Sequence, residues 1–206
     1  MNNLQVKLKE RKLILASASP RREQLLSGLD LPFSIEYNEN LSEDYHPEID
    51  SALVPLHLAE LKSYGFPREL NDAEILITAD TLVFCNGEIL GKPADRDDAI
   101  NILGKLSGNM HEVITGVTIR SNKQKRSFTS KTKVYFRTLS YEEITYYTDN
   151  YSPYDKAGAY GAQEWIGYVA IEKIEGSFFN VMGLPVQRLY QELSLFIDLE
   201  ESSNSL

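Results

Sequence analysis

Residues Leu13-Ile14-Leu15-Ala16-Ser17-Ala18-Ser19-Pro20-Arg21-Arg22-Glu23-Gln24-Leu25-Leu26 decide how the chain is read. Leu13 to Ala16 form a short apolar run that suits a buried strand. Ser19 is placed as a helix N-cap, and Pro20 suits the first helical position, where its missing N–H costs nothing. Leu25, Leu26 and Leu29 then share one helical face, and Gly28 supplies a stop. Arg21 and Arg22 are out of place by ordinary rules. A helix start carries partial positive charge, so an exposed cation there costs about 0.3–1 kcal/mol. Exposed backbone N–H groups, the hydroxyls of Ser17 and Ser19 and two guanidinium forks together suit a phosphate. Two solvated arginines are the alternative, and this stretch by itself leaves both open.

Working outward, strand and helix patterns interleave. Leu31 to Tyr37 reads as a second strand, and the polar, acidic Asn38 to Asp50 as a loop. Leu56 to Tyr64 is helical, closed by Gly65. Glu74 to Phe84 is an apolar strand interrupted by Ala79-Asp80-Thr81, and Asn86-Gly87 marks a hairpin turn back through Glu88-Ile89-Leu90. Asp95 caps a helix whose stripe is Ala99, Ile102, Leu103 and Leu106. Glu112 to Arg120 and Ser127 to Arg137 pair across a polar tip, and Ser140 with Glu143 forms a capping box for a short helix through Tyr147. Ser152 to Gln163 reads as a structured loop, Tyr168 to Ile174 as a strand, and Gly183-Leu184-Pro185 as the lead into a last helix. Its buried face is Val186, Leu189, Tyr190, Leu193, Phe196 and Ile197. The expectation is an α/β fold with a mixed sheet. Residues 1–12 are expected to be an N-terminal extension, 13–199 a single domain of two lobes, and 200–206 a frayed tail, with a change of style near Ser107 as the mark of the second lobe.

Composition narrows the function. The 206 residues are 42% hydrophobic and 25% charged, an ordinary globular balance. A net charge of −9 argues against nucleic acid or an anionic membrane as partner and suits a small anionic ligand bound by a local basic cluster. Cys85 is the single cysteine, which excludes an internal disulfide and a cysteine-built zinc site, and its apolar neighbours make it a core residue. No apolar run approaches a membrane span or a signal-peptide core, so a cytoplasmic protein is expected.

Asp80 stands first among residues that could carry chemistry. A carboxylate inside an apolar strand is expensive unless paired, hydrogen-bonded or metal-bound. As a general base or metal ligand at a strand end it would have Thr81 beside it, and a structural pair with a lysine is the alternative. Lys92 sits on a bend fixed by Gly91 and Pro93, Lys62 on a helix, and Glu43 and Asp44 in the acidic loop; each also reads as solvated surface. Gln163 ends the glycine-containing run Gly158-Ala159-Tyr160-Gly161-Ala162, and its amide could both donate to and accept from a nucleobase edge. His46, His57 and His111 show no metal-ligand spacing, and no Ser-His-Asp arrangement emerges. The ensemble suits phosphoryl chemistry assisted by a divalent ion.

Six short motifs occur in order: Ser17-Ala18-Ser19-Pro20-Arg21-Arg22, Ala79-Asp80-Thr81, Gly91-Lys92-Pro93, Thr115-Gly116-Val117, Asp155-Lys156-Ala157-Gly158-Ala159-Tyr160-Gly161 and Met182-Gly183-Leu184-Pro185. Together they resemble the Maf family of nucleoside triphosphate pyrophosphatases, from Leu13 to about Leu193. The resemblance implies an elongated, two-lobed mixed sheet with a central cleft, similar to the inosine triphosphatase fold. It implies hydrolysis of a nucleoside triphosphate to the monophosphate and pyrophosphate with a divalent cation, Mg²⁺ or Mn²⁺. By motif position Asp80 would be the proton acceptor, and Arg21, Arg22, Lys62 and Lys92 would hold phosphates, supported by Ser17 and Ser19. Glu43, with Asp44 as rival, matches a loop glutamate that would join Asp80 in binding metal. Arg21, Thr81 and Gln163 resemble the dTTP/UTP branch rather than the 7-methyl-GTP branch, although Glu164 departs from the glycine that relatives often carry there. A small nucleotide is the partner this implies, with no nucleic acid or membrane; a homodimer is compatible with it. A nucleotide-binding regulator of septum formation is the alternative from another class.

Overall fold

The computed structural model describes residues 2–42, 44–45 and 48–203. The elements in chain order are α1 (Asn3–Lys7), β1 (Lys12–Leu15), α2 (Pro20–Ser27), β2 (Phe33–Ile35), α3 (Val54–Tyr64), β3 (Glu74–Cys85), β4 (Glu88–Leu90), α4 (Arg96–Leu106), β5 (Met110–Arg120), β6 (Lys125–Phe136), α5 (Tyr141–Tyr151), α6 (Trp165–Ala170), β7 (Ile171–Glu175), α7 (Phe178–Met182) and α8 (Val186–Ser203). The strands form one mixed sheet in the order β2-β1-β3-β5-β6-β7, with β4 paired to β3. β1 runs parallel to β2 and β3, whereas β4 is antiparallel to β3 and β7 to β6. In register, Leu13, Ile14 and Leu15 face Ile75, Leu76 and Ile77, and all six are buried. Strands covered on both faces read as continuous aliphatic runs, which is why both were visible in the sequence.

The chain divides into two compact units. The first comprises Met1–Asp80, Thr115–Ser130 and Gly183–Leu206, and the second Thr81–Ile114 and Lys131–Met182. Three of the four divides fall inside strands, β3, β5 and β6, where no linker marks them; the fourth follows α7 at Met182, and none is at Ser107. In the first unit Ile14, Ala16, Phe66, Leu70 and Leu76 form one core cluster. In the second, Leu103, Leu106, Val134, Tyr147 and Ile166 lie in a core with the partners that α4, α5 and α6 bring.

Local signals explain most elements. Asn86 (φ 51°) and Gly87 (φ 83°) both take the positive φ of a hairpin turn, and Asp95 and Ser140 cap their helices as expected, the latter with a complete capping box. Three expectations change. α5 continues to Tyr151, a turn beyond Tyr147. Tyr168 to Ala170 are helical, because Ile166 and Ala170, four apart, bury one face of α6 before β7 begins at Ile171. The chain does not fray at 200. α8 continues to Ser203, and Glu200, 2% exposed, pairs with Arg11 at 2.8 Å and accepts from Ser121. At the other end, residues 1–12 pack on the fold: Leu4 and Leu8 are buried, and Lys7 Nζ bonds Ser194 and Asp198 on α8. Among the described residues no helix is long and apolar enough to cross a membrane.

Candidate active site

β3 places Asp80 not at a strand end but in the middle of twelve residues, 7% exposed. Its charge is met by Lys62, whose Nζ donates to Asp80 Oδ1 at 2.6 Å. The lysine is no solvated surface residue; its side chain is 17% exposed. A buried carboxylate without such a partner carries a desolvation cost that pairing offsets.

Three contacts set the height of α3 over the sheet and so bring Lys62 to Asp80. Gly116 on β5 lies directly beneath the start of the helix: a Cβ there would stand 2.3 Å from Pro55 O and 2.4 Å from the Leu56 backbone. Thr78, two residues before Asp80, donates its buried hydroxyl to Ala59 O at 2.6 Å. Arg120 donates to Ser63 Oγ (2.9 Å) and Ser63 O (2.6 Å), fixing the other end. The Thr115-Gly116-Val117 motif thus acts by close backbone approach.

The strand-to-helix turn is built differently from a standard cap. Ser19 occupies the N-cap with Pro20 next, but its hydroxyl makes no cap bond. Ser17 is buried, and its Oγ accepts from the Ser19 N–H (3.2 Å) and from Arg22 Nη1 (3.4 Å). Arg22 Nε donates to Gly183 O at 2.9 Å. Gly183, at φ 117°, adopts a backbone that favours glycine, so the Met182-Gly183-Leu184-Pro185 motif presents a carbonyl to the arginine. Arg21 is half-buried in the first turn of α2.

Thr81, Lys92 and Gln163 belong to the second unit. Thr81 is half-buried and Lys92 exposed. The bend carrying Lys92 is tied to the glycine loop, since Gly158 N–H donates to Gly91 O at 3.0 Å. Among the described residues Gln163 Oε1 is buried without a hydrogen-bond partner. Glu164, the departure from the family pattern, turns its charge inward: Lys156 Nζ lies 3.1 Å from Oε1, and the Tyr147 hydroxyl donates to Oε2.

Glu43 lies outside the described residues, as does His46. Asp44 is exposed and accepts from Ser42. Among the described residues no three His, Cys, Asp or Glu side chains gather to hold a metal. Asp80 provides an anionic oxygen beside Lys62. That donor fits an ion of the Mg²⁺ type, which takes one or two carboxylates and completes its shell with water and substrate phosphates. The structural roles of Gly116, Thr78, Arg120 and Gly183 were not readable in sequence; two of them lay in quoted motifs, but a motif does not say what it touches.

The chain belongs to the Maf-like protein family, whose model matches residues 12–196. Among its relatives, a dTTP/UTP pyrophosphatase of Porphyromonas gingivalis is 51% identical over 191 residues, 92% of this chain and 96% of that protein. A dTTP/UTP pyrophosphatase of Parabacteroides distasonis is 50% identical over 189 residues, 92% of this chain and 98% of that one. A solved nucleoside-triphosphatase / dITP/XTP pyrophosphatase from Mycobacterium abscessus is a distant likeness, at 12% identity and a TM-score of 0.38 over 62% of this chain and 75% of that chain.

Proposed function

We propose that this protein hydrolyses dTTP and UTP to the nucleoside monophosphate and pyrophosphate. The relatives' activity, at about half identity over nearly the whole chain, supports the reaction and substrate. The Asp80–Lys62 pair is the observation that carries the mechanism. Asp80 takes a proton from water as the water oxygen attacks the α-phosphorus. The bond from that phosphorus to the α–β bridging oxygen breaks, and pyrophosphate leaves with the electron pair. Lys62 balances the carboxylate before substrate arrives and then contacts phosphate. Arg21, Arg22 and Lys92 hold the remaining phosphate oxygens, Ser17 and Ser19 shape the turn, and Arg21, Thr81 and Gln163 select the base. Asp80 would hold the divalent ion, Mg²⁺ or Mn²⁺, together with Glu43; the ion supplies charge neutralisation at phosphate. Because Glu164 is paired with Lys156 and Tyr147, its charge does not compete with Gln163 for the base. The substrates are intracellular nucleotides, so we place the enzyme in the cytoplasm, with no nucleic-acid or membrane partner.

The test is a product analysis over a nucleotide panel with Mg²⁺ or Mn²⁺. Pyrophosphate and monophosphate from dTTP and UTP are expected, and Asp80→Asn should lose about 10²–10⁴-fold in turnover. Release of single phosphates would overturn the mechanism, and turnover of 7-methyl-GTP but not UTP would move the protein to the other branch.

A further inference from the structure

Gln163 sits in a four-residue turn whose closing bond runs from Glu164 N–H to Gly161 O at 3.0 Å. Both ends of that turn reach the same phenolic oxygen. Tyr147 OH accepts from Gly161 N–H at 3.0 Å and donates to the Glu164 carboxylate. Tyr147 is fully buried on α5, its ring stacked at 5.1 Å on Tyr151, so the oxygen is held by a rigid helix rather than by another loop. Glu164 is held from its other oxygen by Lys156, itself 8% exposed and paired with Asp155 at 2.8 Å. Space is arranged for this: a Cβ on Gly161 would stand 2.7 Å from Glu164 Cδ, so only glycine lets the carboxylate lie across the turn. Although Glu164 occupies the N-cap of α6, its side chain makes no cap bond and is committed to Tyr147 and Lys156 instead.

We infer that Tyr147, Glu164 and Lys156 are positioning residues for Gln163, clamping its turn so that the buried Oε1, unpartnered among the described residues, is presented in one orientation to the base of the substrate. Resting on the reading of Gln163 as a base reader, the inference adds a device this chain builds with Glu164. A polar group fixed in advance discriminates well, because a wrong base leaves it buried and unpaired, whereas a turn free to move can turn its amide aside. The clamp therefore acts on KM and selectivity more than on the chemical step, which takes place elsewhere on the nucleotide.

The experiment measures kcat and KM for UTP and CTP, with a thermal melt for each variant. Gln163→Ala defines full loss of base selectivity. Tyr147→Phe keeps the ring and removes the shared oxygen; it should raise KM for UTP about tenfold and cut the UTP-to-CTP ratio of kcat/KM at least about fivefold, with kcat for UTP within about threefold. Glu164→Ala should behave the same way, and Glu164→Gln, which retains an acceptor for Tyr147, should recover most of the ratio. If Tyr147→Phe fails to fold, the two Glu164 variants decide the question. If Gln163→Ala abolishes selectivity while Tyr147→Phe and Glu164→Ala leave it unchanged, the clamp is refuted and the base-reader role stands. If Gln163→Ala itself leaves selectivity intact, the base-reader role fails and the clamp with it.

Discussion

Gly116→Ala tests whether the geometry of α3 governs activity. The added Cβ would lie 2.3 Å from Pro55 O and 2.4 Å from Leu56 N and Cα, all backbone atoms that cannot rotate away. To reach even 3.0 Å the helix start must lift by about 0.7 Å, and Lys62 is on the same rigid helix. Thr78 and Arg120 hold the helix further along, so the lift becomes a tilt that lengthens the 2.6 Å Lys62–Asp80 contact. Overpacking of this kind costs about 1–3 kcal/mol, and a misplacement approaching 1 Å at a catalytic group costs up to about 10²-fold in rate. Pyrophosphate release at saturating UTP should fall about 30–100-fold while the protein still melts cooperatively a few degrees lower. A folded Gly116→Ala protein with kcat within about twofold of the parent would refute the reasoning, because the tilt would then leave the chemistry indifferent to where α3 sits.

Other perturbations bear on separate parts of the molecule. Lys62→Met leaves a buried carboxylate without its cation, so stability should fall by about 3 kcal/mol and turnover by at least about tenfold; denaturant titration and the pyrophosphate assay measure the two. Burial lowers His111 to a pKa of about 4, and among the described residues its Nδ1 has no hydrogen-bond partner. The unfolded chain takes up that proton below about pH 6.5 and the folded one does not, so about 3 kcal/mol of stability is present above pH 6.5 and lost progressively towards pH 4. Urea midpoints across that range should fall for the parent and flatten for His111→Phe. Ending the chain at Leu199 removes Glu200, the buried anion that Arg11 pairs with, which should cost about 3 kcal/mol and lower Tm by roughly 6–12 °C; an unchanged melt would mean the last turn of α8 carries no load.

Much of this architecture was legible in order of locality. The parallel pairing of Leu13–Leu15 with Ile75–Ile77 showed as two aliphatic runs, and the helix starts at Ser19, Asp95 and Ser140 showed as capping residues. The Asn86-Gly87 turn was fixed by two residues that tolerate positive φ. Elements that depend on contacts far along the chain are not legible locally. Tyr168 to Ala170 alternate well enough for a strand, and only the burial of Ile166 and Ala170 on the second unit's core makes them helical. The chain beyond Glu200 is polar and reads as a tail, yet Arg11, 189 residues earlier, and Ser121 hold Glu200 inside.

For the candidate site, the sequence by itself determined the inventory. A carboxylate amid β-strand aliphatics, paired arginines behind Ser19-Pro20, lysines at 62 and 92 and an amide at 163 are local facts, and their order along the chain identified the family. What only the tertiary structure decided is which of these groups answer one another. Lys62 meets Asp80 because glycine at 116 lets a helix backbone touch the sheet; Arg22 meets Gly183 across 161 residues; and Glu164, which in sequence is a stray charge beside Gln163, is neutralised by Lys156 and held by Tyr147. Covalent neighbours set a residue's propensity. The cost of burying a charge is set by whatever folding brings within 3 Å of it, and that partner can stand anywhere along the chain.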